Sequence, residues 1–198
     1  MSADMGFTFS PENIEQAVAI IARYPEGRQQ SAVMPLLDLA QRQAGGWLPR
    51  DVLDYIADYL DMPRIRVYEV ATFYTMYNTK PVGRHLVQLC RTTPCWLRGS
   101  EDVLDACRDF LGIGIGETTE DGLFTLIEVE CLGACCNAPM MQINDDFYED
   151  LDADATRNVL ETLKKGGQPK VGSQTGRVSS EPVGQLTTLK HQQRAEGA

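Results

Sequence analysis

Through the first eighty residues, apolar side chains recur every three or four positions, the spacing of one helix face. Ile14, Ala17, Val18 and Ile21 make the first such series. It opens at Ser10-Pro11-Glu12, a cap residue followed by proline at the first helical position, and Pro25 stops it. A second helix is expected from about Gln29 to Ala44, with Leu36, Leu37 and Ala40 on one face and Gly45-Gly46 at its end. Pro35 falls inside that stretch and marks either the true start or a kink. A third helix runs from Pro49 to Leu60, with Val52, Leu53, Ile56 and Leu60 inward. A fourth follows Pro63, with Val67, Val70, Ala71 and Tyr74 on one side. Four short helices with short connections predict a small bundle over residues 1–80.

The pattern changes after Pro81-Val-Gly83. The short apolar run His85 to Leu89 reads as a strand ending at Cys90. Ser100 to Leu111 reads as a helix: Ser100 caps it, Glu101 and Asp102 suit its N-terminal dipole, and Val103, Leu104, Cys107 and Leu111 form a stripe. Phe124 to Val129 and Met140 to Ile143 are further strands, Asn144-Asp145-Asp146 is a turn, and Phe147 to Glu149 returns as a fourth strand. A helix from Asp154 to Lys165 closes the run, with Val159, Leu160 and Leu163 apolar. This order over residues 81–165 resembles a thioredoxin-like α+β fold. Residues 166–198 are rich in Gly, Ser, Thr, Gln and Pro without a sustained period, and hold four Lys or Arg against two Glu. They read as an extended tail, disordered alone and ordered on a partner. There is no internal repeat.

Composition narrows the class. The chain has 198 residues, 43% of them hydrophobic, enough for one ordinary domain or two small ones. No apolar run approaches the roughly 20 residues needed to span a bilayer. Met1-Ser-Ala-Asp-Met-Gly6 shows neither the basic and apolar regions of a secretory signal nor an Arg-rich transit pattern, so the chain reads as cytosolic or as a mature organelle protein. A net charge of −10 argues against nucleic-acid binding and against adsorption to an anionic membrane.

Six cysteines then carry the candidate chemistry. Four form two pairs, Cys90-x4-Cys95 and Cys131-x3-Cys135, separated by 35 residues. Reducing surroundings favour metal ligation over structural disulfides. Four thiolates suit a [2Fe–2S] cluster, whose two tetrahedral irons each take two protein sulfurs, and they suit a tetrahedral zinc equally. Neither pair is the Cys-x-x-Cys of a thioredoxin-type dithiol. Both pairs are expected on loops leaving strand ends. Pro94 stiffens the first loop, Thr92 and Thr93 offer hydroxyl donors, and Gly133 lets the second loop approach closely. Cys107 reads as core, and Cys136 as a neighbour of the ligands, because adjacent side chains diverge.

The residues around these pairs match a family. Arg91-Thr-Thr-Pro-Cys95, Leu126-Ile-Glu-Val-Glu-Cys131-Leu-Gly-Ala-Cys135 and Asn137-Ala-Pro139-Met140 resemble the small thioredoxin-like [2Fe–2S] subunit of respiratory complex I, the 24 kDa subunit. Tyr24-Pro-Glu-Gly27, Val67 to Tyr74 and Tyr148-Glu-Asp-Leu151 are also similar to it, and the likeness spans about residues 10 to 165. Gly176 to Pro182 is similar to the mitochondrial and related bacterial branch. The resemblance implies that Cys90, Cys95, Cys131 and Cys135 ligate one [2Fe–2S] cluster. It implies single-electron exchange with FMN on a larger NADH-oxidising flavoprotein subunit, within the peripheral arm of an NADH:quinone oxidoreductase. Membrane association is then only through the complex, at the cytoplasmic face of a bacterial inner membrane or the matrix side in mitochondria. A low potential, towards about −400 mV, is expected of four thiolates in an acidic protein. Alternatives are the equivalent subunit of an NAD-linked hydrogenase or formate dehydrogenase, and a zinc-stabilised scaffold without a redox role.

Other signals carry less. Gly112-Ile-Gly114-Ile-Gly116 follows a helix instead of a strand, so it reads as a connecting loop and not a dinucleotide site. Phe73, Tyr74 and Tyr77 read as core, the acidic run Asp145 to Asp154 as a solvated face, and His85 and His191 as non-ligands. No catalytic triad or carboxylate pair stands out.

Overall fold

The computed structural model describes residues 6–182 and 184. The chain divides into two compact units, Met1–Arg84 and His85–Ala198.

The first unit holds four helices, α1 Pro11–Ile21, α2 Val33–Gln43, α3 Arg50–Tyr59 and α4 Arg64–Phe73. Ser10 caps α1 by accepting the Asn13 N–H at 3.2 Å. A 3₁₀ turn at Gln29–Ala32 precedes α2. Pro35 therefore lies in the first turn of the α-helix, where its missing N–H leaves no intrahelical bond unmade. Leu36, Leu37 and Ala40 pack with Val52, Ile56, Ala57 and Val67 in one core. Tyr77 is buried there and donates to the Met34 carbonyl at 2.8 Å.

Two expectations fail in this unit. Ile14 and Val18 are exposed, leaving Ala17 as the one buried residue of α1. Periodicity finds an apolar face but does not say what covers it. Phe73 and Tyr74 are also exposed, at 77% and 39%. The helix ends at Phe73 and Tyr74 is already extended, so helical spacing no longer carries the Tyr74 ring inward.

The second unit is a six-stranded mixed sheet in the order β2-β3-β1-β4-β5-β6. The strands are β1 His85–Cys90, β2 Glu117–Thr118, β3 Phe124–Val129, β4 Met141–Ile143, β5 Asp146–Glu149 and β6 Gly172–Ser173. The helices are α5 Thr93–Leu97, α6 Ser100–Leu111 and α7 Ala153–Lys164. β1 pairs parallel with β3 and antiparallel with β4. Val103, Leu104 and Cys107 of α6 join Val159, Leu160 and Leu163 of α7 over Val87, Leu89, Phe124 and Leu126 of the sheet. Cys107 is fully buried, as expected, and burial pushes its thiol up to about 12.

Three local details differ from expectation. Ser100 is not the cap of α6; Gly99 is, in a left-handed conformation at φ +98°, and the buried Ser100 Oγ has no hydrogen-bond partner. β2 and β6, at two residues each, are too short to show a period. β6 belongs to the stretch expected to be a disordered tail: it pairs with β5 at the sheet edge. Most of the tail beyond Pro182 lies outside the described residues.

Leu126 is fully buried in β3, an interior strand of the sheet. Leu126→Ala is expected to cost about 2–5 kcal/mol of stability, read as a lower urea midpoint with an unchanged slope.

Candidate metal centre

The four paired cysteines meet at one end of the sheet. Cys90 is the last residue of β1, opposite Val129, the last residue of β3; Cys131 follows two residues later. Cys95 departs from the expected loop: it lies in α5, a single turn with Pro94 at its start. Cys135 opens a 3₁₀ turn, Cys135–Asn137. The second loop then runs through a cis Ala138–Pro139 peptide into β4.

The site has an inner and an outer half. Cys90 and Cys95 are buried at 1% exposure, packed with Ala138 and Met140 and flanked by Leu132, Ala134 and Phe147. Cys131 and Cys135 are exposed, their sulfurs 3.3 Å apart. Among the described residues no three His, Cys, Asp or Glu are grouped as a ready-made set for a single ion. The sulfurs stand instead as two neighbouring pairs.

Hydrogen-bond donors are aimed at these sulfurs. Thr92 sits at the cap position of α5 but does not cap it; its hydroxyl lies 3.4 Å from Cys90 Sγ. The N–H of Leu132, on the other loop, donates to the same sulfur, and the Met140 N–H serves Cys95. The Gly133 N–H serves Cys131. Gly133 has φ +88°, a conformation in which an L side chain is strained, so glycine is the residue that presents this N–H cheaply.

The two pairs share protons in the same way. Burial opposes ionisation of Cys90, but its Thr92, Cys95 and Leu132 partners outweigh burial and hold the thiol below its usual range. Cys95 is pushed up to about 12, by burial first and then by Cys90. Cys131 is drawn down by the Gly133 N–H and by Cys135, and Cys135 is raised chiefly by Cys131. One sulfur of each pair thus gives up its proton more readily and its neighbour less readily. Metal ligation needs all four as thiolates, so loading the site releases those protons. Four thiols in two pairs, with backbone donors on the sulfurs, fit the donor set of a two-iron cluster.

Charge around the site is paired. Arg91, beside Cys90, bridges Glu128 of β3 at 2.7 Å and Glu101 of α6, while its buried Nε has no partner. Cys136 is exposed and its carbonyl, not its thiol, has a defined partner: Arg177 Nη1 at 3.1 Å. Arg177 in turn pairs with Asp150, both almost fully buried. Sequence reasoning misses both residues, because Asp150 falls within the acidic run taken for a solvated face and Arg177 within the tail.

The chain matches the family model described as thioredoxin-like [2Fe-2S] ferredoxin over residues 17–164. It is 56% identical over 158 residues to an NADH-quinone oxidoreductase subunit of Rickettsia conorii, covering 80% of this chain and 95% of that one. It is 51% identical over 185 residues to the mitochondrial NADH dehydrogenase [ubiquinone] flavoprotein 2 of Dictyostelium discoideum, covering 93% of this chain and 75% of that one. Among solved structures, an NAD+-reducing [NiFe]-hydrogenase in its H2-reduced state shares the fold with a TM-score of 0.58. That match is 21% identical, and it covers 66% of this chain and 23% of that one.

The Asp150 carboxyl is a pH-dependent part of the site. Burial opposes its charge, but hydrogen bonds from Arg177 and Ser173 hold it below the usual carboxylate range. A carboxyl lowered on folding contributes stability that is complete above its unfolded value, about 3.9, and that is lost as pH falls through its lower folded value. Urea midpoints taken from neutral pH down to about 3 are expected to fall less steeply in Asp150→Asn than in the parent chain.

Proposed function

The chain belongs to the thioredoxin-like [2Fe–2S] ferredoxin family, and from that premise we propose that Cys90, Cys95, Cys131 and Cys135 hold its one [2Fe–2S] cluster. The chain is an iron–sulfur electron-transfer subunit of NADH:quinone oxidoreductase, an oxidoreductase complex, and it assembles with other subunits of that complex. When bound, the cluster supplies a site that takes up and releases one electron at a time.

The observation that carries the reading is the convergence of two cysteine pairs, 35 residues apart in sequence, at one end of the sheet. Each part of the chain has a task there. Cys90 and Cys95 supply the inner sulfurs, in an apolar sleeve that keeps water away. Cys131 and Cys135 supply the outer ones, on the side open to an electron donor. The N–H groups of Leu132, Gly133 and Met140 and the Thr92 hydroxyl stabilise negative charge on the sulfurs without bringing full positive charges.

The electron donor we propose is FMN on a larger flavoprotein subunit that oxidises NADH. What supports it is that the relatives are named as subunits of NADH-oxidising complexes, and that Gly112 to Gly116 follows a helix, where a dinucleotide loop follows a strand. Among the described residues no helix is long and apolar enough to cross a membrane. We place the chain in the peripheral arm, on the cytoplasmic face of a bacterial inner membrane or the matrix side in a mitochondrion.

Anaerobically purified protein is expected to contain two irons and two acid-labile sulfides per chain and to give an S = 1/2 EPR signal after dithionite reduction. Stoichiometric zinc without labile sulfide, and no such signal, overturns the reading. Ser at Cys90, Cys95, Cys131 or Cys135 is expected to strip iron and sulfide. Cys136→Ser keeps both, and Cys107→Ser keeps both while costing about 1–3 kcal/mol of stability for a buried hydroxyl. Retention in Cys135→Ser with loss in Cys136→Ser reassigns the fourth ligand.

A further inference from the structure

Three separate pieces of the second unit meet on one guanidinium. Arg177 Nε donates to Asp150 Oδ2 at 3.2 Å, and its Nη2 pairs with Asp150 Oδ1, the two-pronged contact of arginine with a carboxylate. Its Nη1 donates to two carbonyls, that of Cys136 at 3.1 Å and that of Glu181 at 3.1 Å. Side-chain exposure is 8% for Arg177 and 6% for Asp150. Ser173 Oγ of β6 adds a hydrogen bond to Asp150 Oδ2 at 2.6 Å and accepts the Arg177 N–H at 3.2 Å.

The cysteine loop is gripped a second time through Asn137. Its carbonyl accepts the Asp150 N–H at 2.7 Å. Its side-chain amide donates to Glu149 at 2.6 Å and to the Ser179 carbonyl at 2.8 Å. The segment after α7 is therefore a strap, and its attachment points on the cysteine loop are the two residues that follow Cys135.

Burying an ion pair is a poor way to gain stability, because desolvation offsets the attraction; its best-attested use is to specify one arrangement. The arrangement specified here is the peptide between Cys136 and Asn137. We propose that Arg177 is a positioning residue, which by holding the Cys136 carbonyl against the Asp150 pair fixes the loop that presents Cys131 and Cys135. This rests on the assignment of those two cysteines as ligands. A guanidinium is needed because it grips the carboxylate and the carbonyl at once; an ammonium keeps the charge but not the planar fork.

The test uses the full-length, cluster-containing chain and compares it with Arg177→Lys, Arg177→Gln and Asp150→Asn. Arg157→Gln, which breaks an exposed pair with Asp154, serves as control. The readouts are far-UV circular dichroism, the EPR g-values of the reduced protein, and the half-time of iron loss to a chelator. Both Arg177 variants are expected to keep the parent dichroism, to shift the g-values, and to lose iron about tenfold faster, with the control unchanged. Parent g-values and half-times in folded Arg177→Lys and Arg177→Gln overturn the proposal. So does failure of every Arg177 and Asp150 variant to fold, which makes the pair a stability device only. If the parent chain itself lacks iron and labile sulfide, the cluster reading fails and the strap is judged alone. Alkylation of Cys131 and Cys135 in the metal-free chain must then be faster in Arg177→Lys than in the parent; equal rates overturn the positioning role.

Discussion

The site depends on the parallel pairing of β1 with β3. Its register runs from His85 opposite Phe124 to Cys90 opposite Val129. That alignment delivers both cysteine loops to the same end of the sheet. It is also protected by the core: Val87 and Leu89 on β1 and Phe124 and Leu126 on β3 are all buried. A slip of one residue turns such a set to the opposite face, so the packing that holds the fold also holds the distance between the cysteine pairs. Parallel strands need a crossover, and here the crossover begins with α5 and α6. The first cysteine pair is thus placed where the chain turns out of β1 towards α6.

From that pairing follows the uneven character of the centre. Cys90 and Cys95 inherit burial from the strand end and the short helix, whereas Cys131 and Cys135 lie on a loop at the surface. The low-dielectric half gives the neutral backbone donors their strength, and the open half leaves Cys131 and Cys135 accessible from outside. Arg91, the cation adjoining Cys90 in sequence, is committed to Glu101 and Glu128. In a chain of net charge −10, that leaves neutral dipoles to balance much of the charge on the sulfurs.

Much of this was legible in the sequence because it is local. The Ser10-Pro11 start of α1, the ends of β1 and β3, and the stripe of α6 all rest on neighbours a few positions apart. The four cysteines stood out by spacing, and the residues around them by family likeness. What escaped was either too short or too distant. β2 and β6 are two residues each, below any period. Cys95 sits in a single helical turn, where proline and threonine read equally well as a loop. Asp150 and Arg177 looked like members of an acidic run and a polar tail, because composition cannot say that a carboxylate and a guanidinium 27 positions apart close on one another. Tyr74 failed in the other direction: its spacing is helical, and the helix stops one residue before it.

The position of Arg177 in the chain has a consequence during synthesis. Both cysteine loops and the strands that carry them are complete by β5, and the residue that closes on the Cys136 carbonyl is made nearly thirty positions later. Domains generally fold as units, and α7 and β6 of this unit also follow β5. A nascent chain that has just released β5 from the ribosome therefore carries every cysteine, but neither the helix α7 that covers the sheet nor the arginine that holds the outer loop. In the order of translation, the residue that fastens the outer loop comes after every strand of the sheet.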